Sequence, residues 1–148
     1  MRPDPPEASE VVNLFKARVP QIASGIVTIR GAVRDPGNRT ILAVASTDRT
    51  TDAVGSCVGL RGAIVKGICA ELHGEHIDIV LWSDSPKTFI TNLVAPMQFV
   101  SISLDQASHQ ATVVLRADSE LPPSNKVRLK SRLLGELTGF ALQFEMEH

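Results

Sequence analysis

The chain of 148 residues is poor in aromatic side chains, with no tyrosine, one tryptophan and five phenylalanines. Folds that bind single-stranded nucleic acid on a platform of rings, such as the RRM and the OB-fold, need several exposed aromatic residues. The composition therefore disfavours that kind of recognition. A core is still expected, because 43% of the residues are hydrophobic. That is enough for one large domain or two small ones.

Cysteine and long apolar runs are also scarce. The two cysteines, Cys57 and Cys69, are too few for a disulfide scaffold and suit a reducing compartment. The chain has no run of about 18 apolar residues that would indicate a membrane span. Its N-terminal segment is rich in proline and acidic residues and does not resemble a secretory signal. We therefore expect a cytoplasmic globular protein.

The net charge of −1 argues against binding through bulk charge, but the charges are unevenly placed. Residues 18–66 contain seven basic and three acidic side chains. Four further cations follow within seven residues, namely Lys126, Arg128, Lys130 and Arg132. A locally basic face on a neutral protein is typical of a selective binder of a polyanion. The alternative is that these cations are ordinary solvated residues.

Hydrophobic periodicity and turn residues divide the chain into two similar halves. The first half predicts a helix over 9–18 capped by Ser9, a hairpin with a turn at 35–38, helices over 52–58 and 63–72, and a strand over 76–82. The second predicts a helix over 87–93, strands over 99–104 and 110–115, a helix over 126–137 and a strand over 140–146. We predict a disordered tail over 1–8 and two α+β modules, 9–83 and 84–148, each with a small sheet backed by helices.

Two glycines three residues apart, Gly59 and Gly62, separate the two helices of the first half. A G-x-x-G loop between helices is typical of KH domains, where it clamps the backbone of a single strand. A side chain at either glycine would push that strand away, and amides at a helix N-terminus favour phosphate. Arg61 adds a cation at the same place. The motif alone is weak evidence for a KH domain. Here, however, its two flanking helices follow a predicted hairpin and precede a predicted strand, which is the order of elements in that domain.

Four segments in order resemble the tandem KH region of the bacterial transcription factor NusA: residues 19–27, 34–40, 54–62 and 71–79. The resemblance implies two prokaryotic-type (type II) KH domains, each with a three-stranded mixed sheet, packed as one rigid RNA-binding surface. It also implies a non-enzymatic role in transcription elongation, pausing, termination or antitermination through nascent single-stranded RNA. RNA polymerase or ribosomal proteins are the protein partners that it implies. It implies no cofactor, metal, membrane or small-molecule substrate.

The chain departs from the family pattern in two ways. The N-terminal and S1 domains of the family are missing, so we expect either an excised fragment or a minimal protein. The second G-x-x-G falls on Asn125-Lys-Val-Arg128, where both glycines are lost, and the preceding helix is replaced by Leu121-Pro-Pro-Ser124. Adjacent prolines do not fit inside a short helix. We expect the second module to keep its sheet and long helix but to lack the G-x-x-G loop whose backbone would contact phosphate.

The predicted RNA site lies in the first module. Gly59 and Gly62 permit close approach, and Leu60 and Arg61 line the loop. Val58 and Ile64 form an apolar floor, Lys66 neutralises phosphate, and the edge of the strand at Ile77, Asp78 and Ile79 reads bases. The apolar members of this set are also candidates for the core. Auxiliary phosphate contacts are expected from Arg34, Arg39, Lys126, Arg128, Lys130 and Arg132, and Arg30 beside the hairpin is a further candidate to extend the path.

Other reactive side chains do not form a convincing site. Cys69, His73 and His76 have the spacing of zinc ligands, but a fourth ligand is missing. Cys57 has no paired base and is expected to be a small buried residue. Two alternatives to a transcription factor remain open. One is a protein-interaction adaptor that has lost RNA affinity, and the other is an RNA-binding factor in ribosome assembly.

Overall fold

A computed structural model describes residues 6–120 and 123–147 of the chain. It divides into two compact units, Met1–Trp82 (unit 1) and Ser83–His148 (unit 2). Each unit contains one three-stranded mixed sheet with helices packed on it. The predicted α+β class with two three-stranded sheets is confirmed.

Unit 1 contains four helices and three strands among its described residues. In chain order they are α1 (Pro6–Arg18), α2 (Pro20–Ala23), β1 (Val27–Asp35), β2 (Arg39–Ser46), α3 (Ala53–Val58), α4 (Ala63–Glu71) and β3 (His76–Leu81). The sheet order is β1-β2-β3, in which β1 and β2 are antiparallel while β2 and β3 are parallel. β3 is therefore an edge strand, reached from β2 by a crossover through α3 and α4.

The hairpin between β1 and β2 turns at Pro36 and Gly37, as the sequence predicts. The Asn38 amide donates to the Asp35 carbonyl at 3.0 Å, and Gly37 has a φ of +83°. Proline before a glycine with positive φ is the arrangement of a type II turn. This turn sets the register of β1 on β2.

Helix α1 begins earlier than the sequence analysis predicts. Ala8, Val11, Val12 and Phe15 are all buried in the core of unit 1, and their spacing places them on one face of a helix. Because this face starts at Ala8, the helix extends back to Pro6 and Ser9 lies inside it rather than at its cap. The predicted disorder is therefore wrong for residues 6–8. Residues 1–5 lie outside the described residues.

The core of unit 1 lies between the sheet and the helices. Leu42 and Val44 of β2 are buried with Ala32 of β1, and Cys57 of α3 and Ile68 of α4 pack on the same cluster. Alternate residues of a strand face the same side, so β2 contributes every second residue to this core. The helices are held in place by this apolar contact, and both α3 and α4 contact β3.

Among its described residues, unit 2 repeats the plan with fewer helices. Its elements are α5 (Pro86–Val94), β4 (Phe99–Asp105), β5 (Gln110–Leu115), α6 (Ser124–Thr138) and β6 (Ala141–Met146). The sheet order is β4-β5-β6, again with an antiparallel and then a parallel pair. The Ser85 hydroxyl caps α5 by accepting from the Thr88 amide. Ala111, Val113 and Leu115 of β5 are buried at alternate positions.

The segment Ala53–Glu71 has 19 residues and a mean hydropathy of 1.4, so by length and composition alone it resembles a membrane-spanning helix. The backbone is not one helix, because Arg61 has a φ of +56° and separates α3 from α4. The nine residues of α4 extend about 14 Å, roughly half of a bilayer core. Most apolar side chains of this segment are buried or half-buried, and Val54, Ile64 and Val65 pack against the core of unit 1.

Candidate nucleic-acid interface

The loop between α3 and α4 is built by local hydrogen bonds. The Asp52 side chain caps α3 by accepting from the Gly55 amide at 3.0 Å, and the Gly59 amide donates to the Gly55 carbonyl at 2.9 Å. A single 3-10 turn, Leu60–Gly62, follows before α4 begins at Ala63. The two helix ends therefore meet at the four residues Gly59–Gly62, which we call the GxxG loop.

Glycine is required at position 59 for two reasons. Its φ of +82° and ψ of 169° lie in a region that side chains avoid. A Cβ at this position would also lie 2.7 Å from Ile64 Cγ1 and 2.9 Å from the Ile64 backbone nitrogen. The loop backbone thus packs directly against the first turn of α4.

Gly62 also has a positive φ, of +75°, but its surroundings are looser. A Cβ there would lie 3.2 Å from Cε of Lys66, the far part of a flexible side chain. The contact shows that the aliphatic stem of Lys66 lies over the loop. Arg61, between the glycines, has a left-handed backbone as well, which costs a residue with a side chain about 1 kcal/mol.

The loop presents apolar, cationic and backbone groups to solvent together. Leu60 is 86% exposed, and Arg61 and Lys66 are both exposed. Helix α4 begins here without a side-chain cap, and first-turn amides of a helix favour an anionic ligand. The loop is therefore suited to contact a phosphate beside an apolar group.

The predicted apolar floor lies beside the loop but is also part of the core. Ile64, Ile77 and Ile79 are half-buried and pack against the buried cluster of unit 1. Val58 is half-buried at the end of α3, and α3 contacts β3. Each of these side chains serves the core and leaves part of its surface accessible. Val58 and Ile64 lie directly beside the GxxG loop, since Val58 precedes Gly59 and Ile64 packs against it.

Asp78 does not join that floor. Strand alternation places it on the opposite face of β3 from Ile77 and Ile79. Its carboxylate accepts from Arg39 Nη1 at 2.7 Å, and both side chains are partly buried. The predictions that Asp78 reads bases and that Arg39 contacts phosphate are not supported by this geometry, because each group already neutralises the other.

Arg34 is also committed to the fold rather than to a ligand. Its guanidinium donates to both carboxylate oxygens of Glu75, at 2.9–3.1 Å, and to the Glu7 carbonyl and Glu10 carboxylate of α1. Its side chain is 11% exposed. The prediction of an auxiliary phosphate contact at Arg34 is therefore wrong.

Glu75 is the centre of this network, and no sequence pattern marked it. Its side chain is fully buried and also accepts from the Thr40 hydroxyl at 2.6 Å and the Gly37 amide at 3.0 Å. Burial by itself would raise the pKa of Glu75, but the hydrogen bonds from Arg34, Thr40 and Gly37 hold its pKa below the ordinary value. The same pairing raises the pKa of Arg34. The network joins α1, the hairpin turn and the start of β3.

The cations of residues 126–132 lie on helix α6 and have different surroundings. Lys130 is buried, and its Nζ donates to the Leu93 carbonyl at 2.7 Å, so the predicted phosphate contact at Lys130 is wrong. Arg132 lies 3.9 Å from Glu136. Lys126 is half-buried and Arg128 is exposed. The residues in the G-x-x-G position, 125–128, are helical, so they form no loop, while Leu121 and Pro122 lie outside the described residues.

The cysteines have the properties of core residues. Cys57 is buried, and burial raises the pKa of its thiol to about 11. Burial also raises the pKa of Cys69. Both thiols are therefore protonated at neutral pH, and a protonated thiol is a poor nucleophile. Within residues 6–120 and 123–147, no group of three or more His, Cys, Asp or Glu side chains is placed to hold a metal ion.

Comparison with known proteins agrees with this geometry. A family model described as the NusA-like first KH domain matches residues 6–82. Two curated proteins named transcription termination/antitermination protein NusA, from Rickettsia conorii and Rickettsia prowazekii, are each 39% identical to this chain over 140 residues. The match covers 93% of this chain but 28% of each relative. The crystal structure of APE1850 has a similar fold, with a TM-score of 0.63 and 19% identity over 93% of this chain and 96% of that one.

Proposed function

The chain belongs to the family of NusA-like first KH domains, and from this premise we propose that unit 1 binds single-stranded RNA at the GxxG loop. The observation that supports the proposal most is the exposure of that loop. Two glycines with positive φ hold its backbone in a tight turn, while Leu60 and Arg61 extend into solvent. A sugar–phosphate backbone can approach such a turn closely.

Each part of the site has a chemical role in this proposal. Arg61 and Lys66 contact phosphates, and the first-turn amides of α4 add partial positive charge. Leu60, Val58 and Ile64 provide the apolar surface on which bases rest. Ile77 and Ile79 line the same groove from the edge strand β3. Binding of this kind depends on shape and backbone contact, so it needs no platform of aromatic rings.

Unit 2 has a secondary role in the proposed function. Its sheet resembles that of unit 1 in order and pairing, but α6 is continuous where unit 1 has the GxxG loop. Lys126, Arg128 and Arg132 remain as auxiliary phosphate contacts through side chains. Such contacts position a strand with less precision than a backbone cradle.

The biological role that we propose is that of a NusA-like factor acting on nascent RNA in the cytoplasm, during transcription elongation, pausing, termination or antitermination. Both curated relatives are named for termination and antitermination, and this chain matches under a third of their length. The proposed role is non-catalytic. RNA polymerase and ribosomal proteins are the proposed protein partners.

A double substitution that places negative charge in the GxxG loop tests the RNA site. The variant Leu60→Asp/Arg61→Asp should weaken binding to a labelled A/C-containing single strand by at least about tenfold, since it places two carboxylates where phosphates would lie. Fluorescence anisotropy measures the affinity, and far-UV circular dichroism checks the fold.

A matched control makes the same change in charge elsewhere in unit 1. Asn13→Asp/Lys16→Asp alters exposed residues of α1 and should bind within about twofold of wild type, because a fold-wide charge effect alone is small at moderate salt. If the folded loop variant binds as tightly as wild type, the GxxG loop is not the site. If wild type itself binds no RNA at moderate salt, an adaptor function replaces the proposal.

A further inference from the structure

The sheet of unit 2 has one face packed against α5 and α6 and one face open to solvent. Because alternate residues of β5 are buried, the residues between them point to the open side. Strand pairing places six neighbours there in two rows, and all six are exposed or half-buried: Ser103, Thr112 and Gln143, then Ser101, Val114 and Glu145. We call this the outer face of unit 2.

One end of the outer face is anionic. The Glu147 amide donates a hydrogen bond to the neighbouring strand at 2.9 Å, so the chain stays beside β5, and Glu145 and Glu147 lie on the same face. Both glutamates are exposed. The three strands contain no Lys or Arg. Arg116, which follows β5, lies 3.5 Å from Asp118, so its charge is already paired.

An exposed apolar residue lies across the sheet from these carboxylates. Val100 is 52% exposed and is one of three exposed large hydrophobic residues in the part of the chain that the structure describes. It is the extra residue of a bulge in β4, so Val100 and Ser101 together lie opposite Val114. Val114 pairs in turn with Glu145, and paired strands are about 4.8 Å apart. We call Val100, Val114, Glu145 and Glu147 the acidic end of the outer face.

The GxxG loop of unit 1 has the complementary composition. Leu60 is 86% exposed, and the exposed cations Arg61 and Lys66 accompany it. An apolar side chain beside cations matches an apolar pair beside carboxylates both in polarity and in charge. Because the two surfaces belong to the same chain, a second copy of this protein carries the matching chemistry.

We propose that the GxxG loop of one copy docks on the acidic end of the outer face of a second copy, and that RNA displaces it. This inference rests on the proposed function and adds a regulation of the same site. The exposed leucine of the loop packs on the two valines, while Arg61 and Lys66 face the two glutamates. Since the loop cannot hold a phosphate and a carboxylate in the same place, self-association and RNA binding exclude one another.

The contact should be weak and reversible. It joins one small loop to part of a sheet face, which is the size of a transient interface, and its exposed ion pairs are screened by salt. RNA has the advantage, because a KH loop clamps about four nucleotides. The contact also joins two different surfaces, so further copies can add. We therefore expect an average mass that rises gradually with protein concentration.

Sedimentation of the full chain measures this association. At low salt the average mass should rise between about 10 μM and about 1 mM protein, the range of weak affinities. It should return to the 15.9 kDa of one chain at about 0.5 M salt. At low salt, a saturating four-nucleotide A/C-containing RNA should also reduce the assembly to single chains with bound RNA, whereas sodium chloride of the same ionic strength should not.

A charge exchange identifies the two surfaces. Arg61→Glu and Glu145→Arg should each weaken self-association at least about tenfold, because each brings like charges together. The double variant Arg61→Glu/Glu145→Arg should regain most of the association, since opposite charges meet again. Gln106→Lys/Gln110→Lys is the matched control. It changes the charge as much as Glu145→Arg, at exposed positions in and beside the turn between β4 and β5, and should associate like wild type.

The outcomes separate this inference from the proposed function. If a labelled A/C strand binds but wild type stays monomeric at low salt up to about 1 mM, the docking contact is wrong and the RNA site stands. The contact is also wrong if Glu145→Arg associates as strongly as wild type, or if the double variant regains nothing. An assembly that keeps its mass when RNA binds overturns the displacement. If wild type binds no RNA, the proposed function fails, and the charge exchange alone decides the docking contact.

Discussion

Gly59 and Gly62 belong to one motif but are constrained by different atoms. At Gly59 the obstacle to a side chain is the backbone nitrogen of Ile64, which cannot move without unwinding the first turn of α4. At Gly62 the obstacle is the end of the Lys66 side chain, which can rotate away. Both positions have positive φ, but Gly59 lies in a region almost confined to glycine while Gly62 is left-handed helical, so backbone region and close contact both disfavour a side chain at Gly59.

The variant Gly59→Ala should therefore lose more stability than Gly62→Ala. We expect about 3 kcal/mol for Gly59→Ala, from a forbidden backbone region and a clash with main chain, and about 1 kcal/mol for Gly62→Ala. Urea denaturation followed by circular dichroism gives both free energies of unfolding. Equal losses at the two positions would contradict the close packing of the loop on α4.

Glu75 is a second residue whose environment predicts a measurable property. Its pKa is lowered in the folded protein, so its ionised form stabilises the fold above the ordinary pKa of about 4.3. That stabilisation is lost as the pH falls through the lowered folded pKa. The free energy of unfolding of wild type should therefore decline steadily as the pH falls below about 4.3.

The variant Glu75→Gln should lose this part of the pH dependence. It should be less stable by about 3 kcal/mol at pH 7, because the partly buried Arg34 loses its bidentate partner. Glu10→Gln is the matched control, since Glu10 also pairs with Arg34 but is 62% exposed, and it should cost under about 1 kcal/mol. Chemical denaturation between pH 3 and pH 7 measures both, and parallel curves for wild type and Glu75→Gln would refute the assignment.

At the scale of the element, α6 replaces the GxxG loop and α4 of unit 1 with one continuous helix of 15 residues. Both helices are followed by a glycine with positive φ before a parallel strand, but Gly139 directly caps α6, whereas Gly74 lies three residues beyond the end of α4. Its N-terminal end differs because Asn125 and Arg128 take helical conformations. Helix packing around Leu129, Leu133 and Leu134, which are buried, favours continuation through this region.

Restoring the glycines in unit 2 should not restore a binding site. The double variant Asn125→Gly/Arg128→Gly should lower the stability of unit 2 by about 1 kcal/mol through the helix propensity of glycine. It should gain no RNA affinity, because among the described residues of unit 2 no short helix and loop precede α6 as α3 and the GxxG loop precede α4. Thermal unfolding and anisotropy measure the two effects. A gain of RNA affinity would show that the two glycines alone are enough to form a G-x-x-G binding loop.

At the scale of the whole molecule, much of the positive charge is paired within the fold. Arg34, Arg39 and Arg116 all form ion pairs with carboxylates of their own unit. Within the described residues, Arg61 and Lys66 at the loop take part in no such pair. A chain with a net charge of −1 thus presents a small cationic site rather than a broad basic surface, so its affinity should depend only moderately on salt.

The small number of cations at the GxxG loop predicts a weak salt dependence of RNA binding. Two phosphate contacts, at Arg61 and Lys66, give a slope of log affinity against log salt of about −1.4 for a single strand. Anisotropy titrations of a labelled A/C-containing single strand at several salt concentrations measure this slope. A slope steeper than about −4 would mean that a larger cationic surface, such as that of α6, contributes to binding.

Local sequence was sufficient for most of the elements and for the loop, because these depend on neighbours along the chain. The type II turn at Pro36 and Gly37, the cap at Asp52 and the G-x-x-G spacing all act within a few residues. The start of α1 and the short helix α2 were not predicted. The resemblance to the NusA KH region added the three-stranded mixed sheets, and only the structure gave the order of their strands. The roles of the arginines depended on long-range contacts, which neither pattern nor composition contains. Arg34 meets Glu75, Arg39 meets Asp78 and Arg30 meets Trp82 only after the strands pair, and burial then decides which cations stay available to RNA.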